Sequence, residues 1–214
     1  DFSTTVSAKK LLDICRALPE NADINITTTD SRMQVKTGKS RFNLQTLPAA
    51  DYPVMSQVQD AQATTMTISQ GKLKRLFKQV EFAMAQQDIR YYLNGLLFEI
   101  SANKLNVVGT DGHRLSFTSA ELSQNFEKQE LILPRKTVIE LIKLLDDSED
   151  EVSIAIVQGQ VIFNVGDIRL ISKVIDGKFP DYNRVIPVGH QNTFTIDRMA
   201  VLLSMQRASI LSNE

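Results

Sequence analysis

The sequence predicts an α+β fold in which one amphipathic helix and several short strands form a repeated unit. Two segments, "VSAKKLLDICRAL" (6–18) and "LPRKTVIELIKLL" (133–145), match at an offset of 127 residues. A second pair, "TMTIS" (65–69) and "TFTID" (193–197), matches at an offset of 128. Because similarity at a fixed period indicates an internal repeat, we expect four related helices that begin near Val6, Ile68, Leu133 and Ile196.

The predicted helices show apolar residues three and four positions apart, a spacing that places these residues on one face. They cover residues 7–18, 69–85, 134–145 and 197–209. Strands are predicted where apolar and polar residues alternate or β-branched residues cluster, with turn residues such as Gly38 and Asp111-Gly112 between them. The predicted strands cover residues 24–29, 33–37, 41–47, 105–110, 152–157, 161–165 and 168–175.

The repeat also predicts the domain organisation. A full unit of about 128 residues contains two helix-and-strand halves. We expect residues 1–60 to form the second half of one domain, residues 61–190 a complete domain, and residues 191–214 the opening helix of a third. This organisation predicts that the chain is part of a longer protein with three or more repeats.

The composition is that of an ordinary globular protein, with 43% hydrophobic and 23% charged residues in 214. The single cysteine, Cys15, excludes an internal disulfide and a metal cluster built on thiolates. The sequence contains no uninterrupted apolar run of the roughly 18 residues that a membrane span needs, and its polar first residues do not resemble a signal peptide. We therefore expect a cytoplasmic protein without a bound metal or cofactor.

The positive charge is concentrated in the predicted helices. The net charge of the whole chain is only −1, which by itself disfavours nucleic-acid binding. Yet the four helices contain 12 of the 24 lysines and arginines and only four acidic residues, a charge of +8 against −9 for the remainder. Solvated outer faces would explain any one basic helix. Four equivalent helices arranged about an axis would instead form a basic surface that binds a phosphate backbone without reading its sequence.

The segment "TDGHRLSF" (110–117) allows a second interpretation, that of an enzyme. It places an acid, an imidazole and a hydroxyl, those of Asp111, His113 and Ser116, within six residues. A hydrolase would use such groups as a base and a nucleophile, but the sequence contains neither a GxSxG frame nor a phosphate-binding loop. A scaffold built from repeats that binds only proteins is a third possibility.

Six segments of the chain together resemble the sliding clamps, the β subunit of bacterial DNA polymerase III. They are "TLPAADYP", "QDIRYYLNGLLFE", "GTDGHRLSF", "LPRKTVIELIKLLD", "DGKFPDYNRVIP" and "RASILSNE". The resemblance implies the DNA-clamp fold, in which sheets lie outside and helices line a channel for duplex DNA. It implies a non-catalytic processivity factor that forms a head-to-tail homodimer. The implied protein partners are the replicative polymerase, the clamp loader and repair polymerases.

Two sets of binding residues are predicted, the first from the resemblance and the second from the positive charge of the helices together with the resemblance. The first would form a pocket for short peptides of the partner proteins: Leu93, Thr110, Gly112, His113, Arg114, Leu115, Pro180, Arg184 and Val185. The second combines basic helix residues with the loop that follows the second helix, and would contact DNA: Lys9, Lys10, Lys72, Lys74, Arg75, Gln87, Arg90, Tyr91, Tyr92, Arg135, Lys136 and Arg198.

Overall fold

The computed structural model of the chain describes residues 2–29, 31–53, 63–157, 159–210 and 212. The chain divides into two compact units, residues 1–58 and residues 59–214, called here the first unit and the second unit. The predicted domain boundary at residue 60 lies outside the described residues. In the described part of the chain, no helix has the length and apolar character needed to cross a membrane.

Among its described residues, the first unit contains one α-helix and five strands. Helix α1 (Ala8–Ala17) begins after Ser7, whose hydroxyl accepts a hydrogen bond from the Lys10 backbone N–H at 3.5 Å. The strands are β1 (Thr4–Thr5), β2 (Asn25–Thr29), β3 (Arg32–Thr37), β4 (Ser40–Gln45) and β5 (Leu47–Pro48). Strands β2, β3 and β4 form an antiparallel meander, and β1 pairs with β5. In the described part of this unit, the buried core is small and consists of Met33, Val35 and Leu44.

The second unit repeats the combination of helix and strands on a larger scale. Its elements are β6 (Thr64–Ser69), α2 (Gln70–Val80), β7 (Gly95–Thr110), β8 (Leu115–Pro134), α3 (Arg135–Leu144), β9 (Glu151–Val157), β10 (Gln160–Val165), β11 (Ile168–Lys173) and α4 (Arg198–Ser209). Strands β11, β10, β9 and β6 form an antiparallel sheet in that order, and β7 pairs with β8 in a long hairpin.

The main core of the second unit lies where α2 and α3 cover the strands. The predicted apolar face of α2 is fully buried, together with Phe98 of β7 and Phe163 of β10. Helix α2 ends at Val80, earlier than the prediction of residue 85, because the chain tightens into a 3₁₀ turn at Glu81–Ala83. At this point α2 approaches β7 so closely that a Cβ atom on Gly109 would lie 2.6 Å from the Val80 carbonyl oxygen.

The β7–β8 hairpin is longer than the short strand predicted at residues 105–110. Its register shifts between Ile100 and Lys104, where Ala102 has a φ of +50°. Because side chains alternate between the two faces of a strand, the hairpin is apolar on both. One face contributes Phe98 to the main core. The other carries Leu97, which packs with Phe179 and Tyr182 of the segment after β11 in a second cluster.

Candidate functional site

A cleft of about 320 Å³ opens on the second unit where four chain segments meet. The segments are residues 90–93, the β7–β8 turn, the start of β8, and the chain after β11. Eight of the nine residues predicted for a peptide pocket line this cleft: Leu93, Thr110, Gly112, His113, Arg114, Leu115, Pro180 and Val185. The ninth, Arg184, borders an adjacent depression instead, and its largely exposed side chain forms an ion pair with Asp181 at 3.1 Å.

The β7–β8 turn is held in shape by the carboxylate of Asp111. This carboxylate accepts hydrogen bonds from the backbone N–H groups of His113 (2.9 Å) and Arg114 (3.0 Å) and from the Arg114 side chain (3.0 Å). The backbone donors, Arg114 first, lower the pKa of Asp111. The turn signal Asp111-Gly112 predicts a returning strand that starts with His113, Arg114 and Leu115, but β8 begins only at Leu115. The side-chain hydrogen bonds explain this difference, because they stabilise a turn wider than a two-residue hairpin.

Arg90 closes one end of the cleft. Its guanidinium donates to both carboxylate oxygens of Asp88, at 3.0 and 2.8 Å, and to the backbone oxygen of Asp111 at 3.1 Å. The side-chain hydrogen bond from Arg90 is the main reason that the pKa of Asp88 is lowered to about 2. The guanidinium lies directly beside Gly112, where a Cβ atom would be 2.8 Å from Arg90 Nη1. Arg90, predicted as a DNA contact, is therefore bound into the wall of the cleft.

Aromatic side chains that the sequence interpretation did not assign to the cleft supply much of its apolar lining. Phe179 and Tyr182 both line the cleft and are only 6% exposed. The Tyr182 ring stacks on Phe117 of β8, with centroids 5.6 Å apart. Tyr92, predicted as a DNA contact, lines the cleft as well. The sequence did contain a signal for this role. The segment after β11 carries two aromatic residues beside a proline, and large apolar side chains in such a segment indicate burial against the rest of the protein.

The three side chains proposed for a hydrolase, those of Asp111, His113 and Ser116, do not form a catalytic hydrogen-bond network in the described structure. The Ser116 hydroxyl donates a hydrogen bond to the Gln79 backbone oxygen at 2.6 Å. The Asp111 carboxylate is occupied by the donors of its own turn. Within the described residues, no hydrogen bond joins the His113 imidazole to either group. A serine nucleophile needs a base within hydrogen-bond reach, so this geometry does not favour the hydrolase interpretation.

The basic residues predicted on α2 differ in how free their charges are. Lys72 and Arg75 are exposed on the helix surface. The Lys74 side chain is mostly buried, with 15% of it exposed, and its ammonium group pairs with the Asp147 carboxylate at 3.0 Å. Because a paired cation has less charge to offer a phosphate, Lys72 and Arg75 are the better candidates for a contact with DNA.

The remaining predicted DNA contacts lie on the other helices and on the loop before β7. On α3, Lys136 is exposed, whereas Arg135 is partly buried and donates to the Glu81 backbone oxygen at 3.3 Å. Gln87 is exposed with a φ of +57°, and Tyr91 is 59% exposed. The other three residues are exposed on their helices, Lys9 and Lys10 on α1 and Arg198 on α4.

Comparison with protein families assigns both units of the chain. Residues 67–181 match the family model for the central domain of the DNA polymerase III beta subunit. Residues 1–56 match the model for the N-terminal domain of the same subunit. The chain belongs to the DNA polymerase III beta-subunit family.

Individual members of this family are similar to the chain along nearly all of its length. A beta sliding clamp of Pseudomonas putida is 46% identical over 212 residues, which cover 98% of this chain and 57% of that protein. The crystal structure of the Pseudomonas aeruginosa beta subunit matches with a TM-score of 0.88 and 41% identity, over 99% of this chain and 58% of that one. The chain therefore spans a little more than half the length of these relatives.

A further beta-subunit structure, the sliding clamp of Pseudomonas aeruginosa bound to griselimycin, matches with a TM-score of 0.84 and 41% identity. This match covers 99% of this chain and 57% of the solved clamp chain. The structural matches confirm the predicted fold class, an α+β clamp fold of helices and antiparallel sheets. They also confirm the family that the six sequence segments indicated.

Proposed function

We propose that the chain provides part of a sliding clamp that encircles duplex DNA and tethers polymerases during bacterial replication. It would act without catalysis, since retention on DNA requires only a closed ring and contacts that are weak enough to permit sliding. The complete protein would be a cytoplasmic homodimer with its basic helices toward the DNA and its sheets outside. Its family membership and its similarity to proteins named beta sliding clamp support this proposal.

The cleft on the second unit is the observation that carries the tethering part of the proposal. Leu93, Leu115 and Val185 come from three separate chain segments and form an apolar surface beside polar groups of the β7–β8 turn. Concave sites of this kind, mainly apolar with a few fixed polar groups, suit short peptides. We propose that the cleft receives a short peptide from the replicative polymerase, the clamp loader or a repair polymerase.

We propose griselimycin as the probe for the cleft, because a solved sliding clamp of Pseudomonas aeruginosa is bound to it. We expect it to bind this chain, and we expect Val185→Ala to weaken binding several-fold because the lost methyl groups are worth about 1 kcal/mol. Val188→Ala is the matched control, since Val188 is also exposed and lies outside the cleft. Calorimetric titration of the three proteins decides the matter. Equal affinities for all three would remove the cleft from the proposal.

The DNA part of the proposal depends on the exposed cations of the helices. We expect Lys72→Ala combined with Arg75→Ala to weaken binding to duplex DNA and to reduce its salt dependence, because each lost phosphate contact lowers the slope of log K against log salt by about 0.9. Arg169→Ala combined with Lys173→Ala removes the same charge from exposed residues of β11 and is the control. Fluorescence anisotropy at several salt concentrations measures the slopes. Identical slopes for both double variants would contradict the assignment of DNA binding to α2.

The alternative of a scaffold that binds only proteins makes a different prediction in the same experiment. Such a protein would retain griselimycin across the salt series and show no salt-dependent association with DNA, because apolar contacts are screened much less than phosphate contacts.

A further inference from the structure

A buried carboxylate lies behind the wall of the cleft. Glu99, in the middle of β7, is 7% exposed. One of its oxygens accepts hydrogen bonds from the Asn106 amide at 2.7 Å and from the Tyr182 hydroxyl at 3.0 Å. Its other oxygen faces the ammonium group of Lys128 at 3.6 Å. Because a buried charge is costly unless it is paired and hydrogen-bonded, this carboxylate is bound tightly to its three partners.

The carboxylate remains charged in this position. Burial is the largest single influence and raises the pKa of Glu99, but the hydrogen bonds from Asn106 and Tyr182 and the charge of Lys128 outweigh it together, so that the pKa lies below its ordinary value of 4.5. The pKa of Tyr182 is raised by burial and then by the hydrogen bond to Glu99, which keeps the phenol protonated as a donor. Hydrogen bonds to a charged acceptor are about twice as strong as neutral ones.

Tyr182 connects this carboxylate to the cleft. It belongs to the 3₁₀ turn Tyr182–Arg184, and its side chain, with those of Pro180 and Val185, lines the cleft. The segment from Phe179 to Val185 carries no strand that would fix it to the hairpin by a ladder of backbone hydrogen bonds. Side-chain contacts hold this wall instead. Phe179 and Tyr182 pack in one buried cluster with Leu97, Val108 and Ile132, Tyr182 stacks on Phe117, and the Tyr182 hydroxyl donates a hydrogen bond to Glu99.

We propose that Glu99 is a positioning residue of the cleft, which acts through the Tyr182 hydroxyl to set the place of the wall formed by Pro180, Tyr182 and Val185. This inference rests on the proposed function of the cleft as a peptide site. Glu99 itself does not line the cleft and touches no ligand there; it would act by reducing the number of positions that the wall adopts before a peptide arrives. Restricting a binding wall in advance lowers the entropy lost on binding.

The hairpin offers a matched control for this proposal. Glu130 lies directly opposite Glu99 in the β7–β8 register, is exposed, and pairs with Lys128 at 2.7 Å instead of with Tyr182. We expect Glu99→Ala to weaken griselimycin binding about tenfold, which corresponds to about 1.4 kcal/mol, and Glu130→Ala to leave it unchanged. Tyr182→Phe removes one oxygen while keeping the ring on Phe117, and it provides a second test should Glu99→Ala fail to fold.

Two further results separate positioning from a general loss of stability. Glu99→Gln keeps an acceptor for the Tyr182 hydroxyl, so we expect it to recover much of the affinity that Glu99→Ala loses. The double variant Glu99→Ala with Tyr182→Phe should bind griselimycin about as well as whichever single variant binds it less tightly, because both substitutions break the same hydrogen bond. Wild-type affinity in folded Glu99→Ala and Tyr182→Phe, or fully additive losses in the double variant, would overturn the proposal.

A measurement without any ligand keeps this inference distinct from the proposed function. Nuclear Overhauser effects between Tyr182 and Phe117, and between Val185 and its neighbours in the cleft, report the position of the wall directly. If the wild-type chain does not bind griselimycin, the peptide function loses its support, while the wall is still read from these signals. Loss of the Val185 signals in Tyr182→Phe, with Glu130→Ala unchanged, would then support positioning by Glu99. Their persistence in Tyr182→Phe would refute it.

Discussion

Gly112 shows how a single residue combines a backbone requirement with a side-chain contact. Its φ of +87° is costly for any residue with a Cβ atom, and that atom would meet the guanidinium of Arg90. We expect Gly112→Ala to lower the free energy of unfolding by about 1 kcal/mol and to displace Arg90. Gly166→Ala is the control, because Gly166 has a φ of +53° with open space around it. Urea denaturation and the NMR signal of the Arg90 Nε–H group measure the two effects, and a displaced Arg90 in both variants would contradict this explanation.

The pairing of Asp88 with Arg90 predicts a dependence on pH. The folded pKa of Asp88 is lowered from 3.8 to about 2, mainly by the side-chain hydrogen bond from Arg90. Because the folded pKa is the lower one, the stabilisation is fully present above about pH 4 and is lost as the pH falls toward 2. We expect the ¹³C carboxyl resonance of Asp88 to titrate near pH 2, and at a higher pH in an Arg90→Gln variant, which loses the guanidinium but keeps the backbone N–H that also donates to Asp88. A midpoint near 3.8 in the wild-type chain would show that the pair is open in solution.

At the scale of elements, α2 illustrates how an amphipathic pattern becomes a core. Phe77 is fully buried between the helix and the strands, whereas Phe82, just beyond the helix, is 54% exposed beneath the Arg114 guanidinium. We expect Phe77→Ala to lower the free energy of unfolding by about 3–5 kcal/mol and Phe82→Ala by less than about 1.5 kcal/mol. Denaturant unfolding compares the two. Similar losses would mean that the face of α2 assigned to the core is wrong.

The β7–β8 hairpin shows which properties of an element a sequence pattern conveys. Residues 105–110 predict a strand because they form a short segment rich in β-branched apolar residues. The rest of the hairpin is harder to recognise, since both of its faces are covered over part of its length and the alternation that marks a half-exposed strand is weakened. The strand that positions Glu99 is therefore longer than its local pattern indicates.

At the scale of the whole molecule, the two units have cores of very different size. The first unit buries three apolar side chains among its described residues, and α1 contributes none of them, whereas the second unit buries more than twenty in its main cluster. Because stability follows the apolar area that is buried, we expect the amide of Val35 in β3 to exchange hydrogen faster than that of Phe98 in β7. Native-state hydrogen exchange measures both. Equal protection would show that one cooperative transition governs both units.

The sequence by itself determined the repeat, the helices with their apolar faces, and the family. These properties are local or periodic, and a residue pattern therefore conveys them directly. It also named eight residues of the cleft, but only through resemblance to a family, because residues 93, 110–115 and 180–185 are far apart along the chain.

Only the tertiary structure decided how these segments meet and which charges remain free. Arg90 and Tyr92 belong to the cleft because the chain before β7 folds beside the β7–β8 turn. Lys74 is paired because the chain after α3 brings Asp147 to it, across 73 positions of sequence. Glu99 reaches Tyr182 across 83 positions. Hydrogen bonds of this kind depend on distances between atoms, and a pattern of residue types specifies chemistry but not distance.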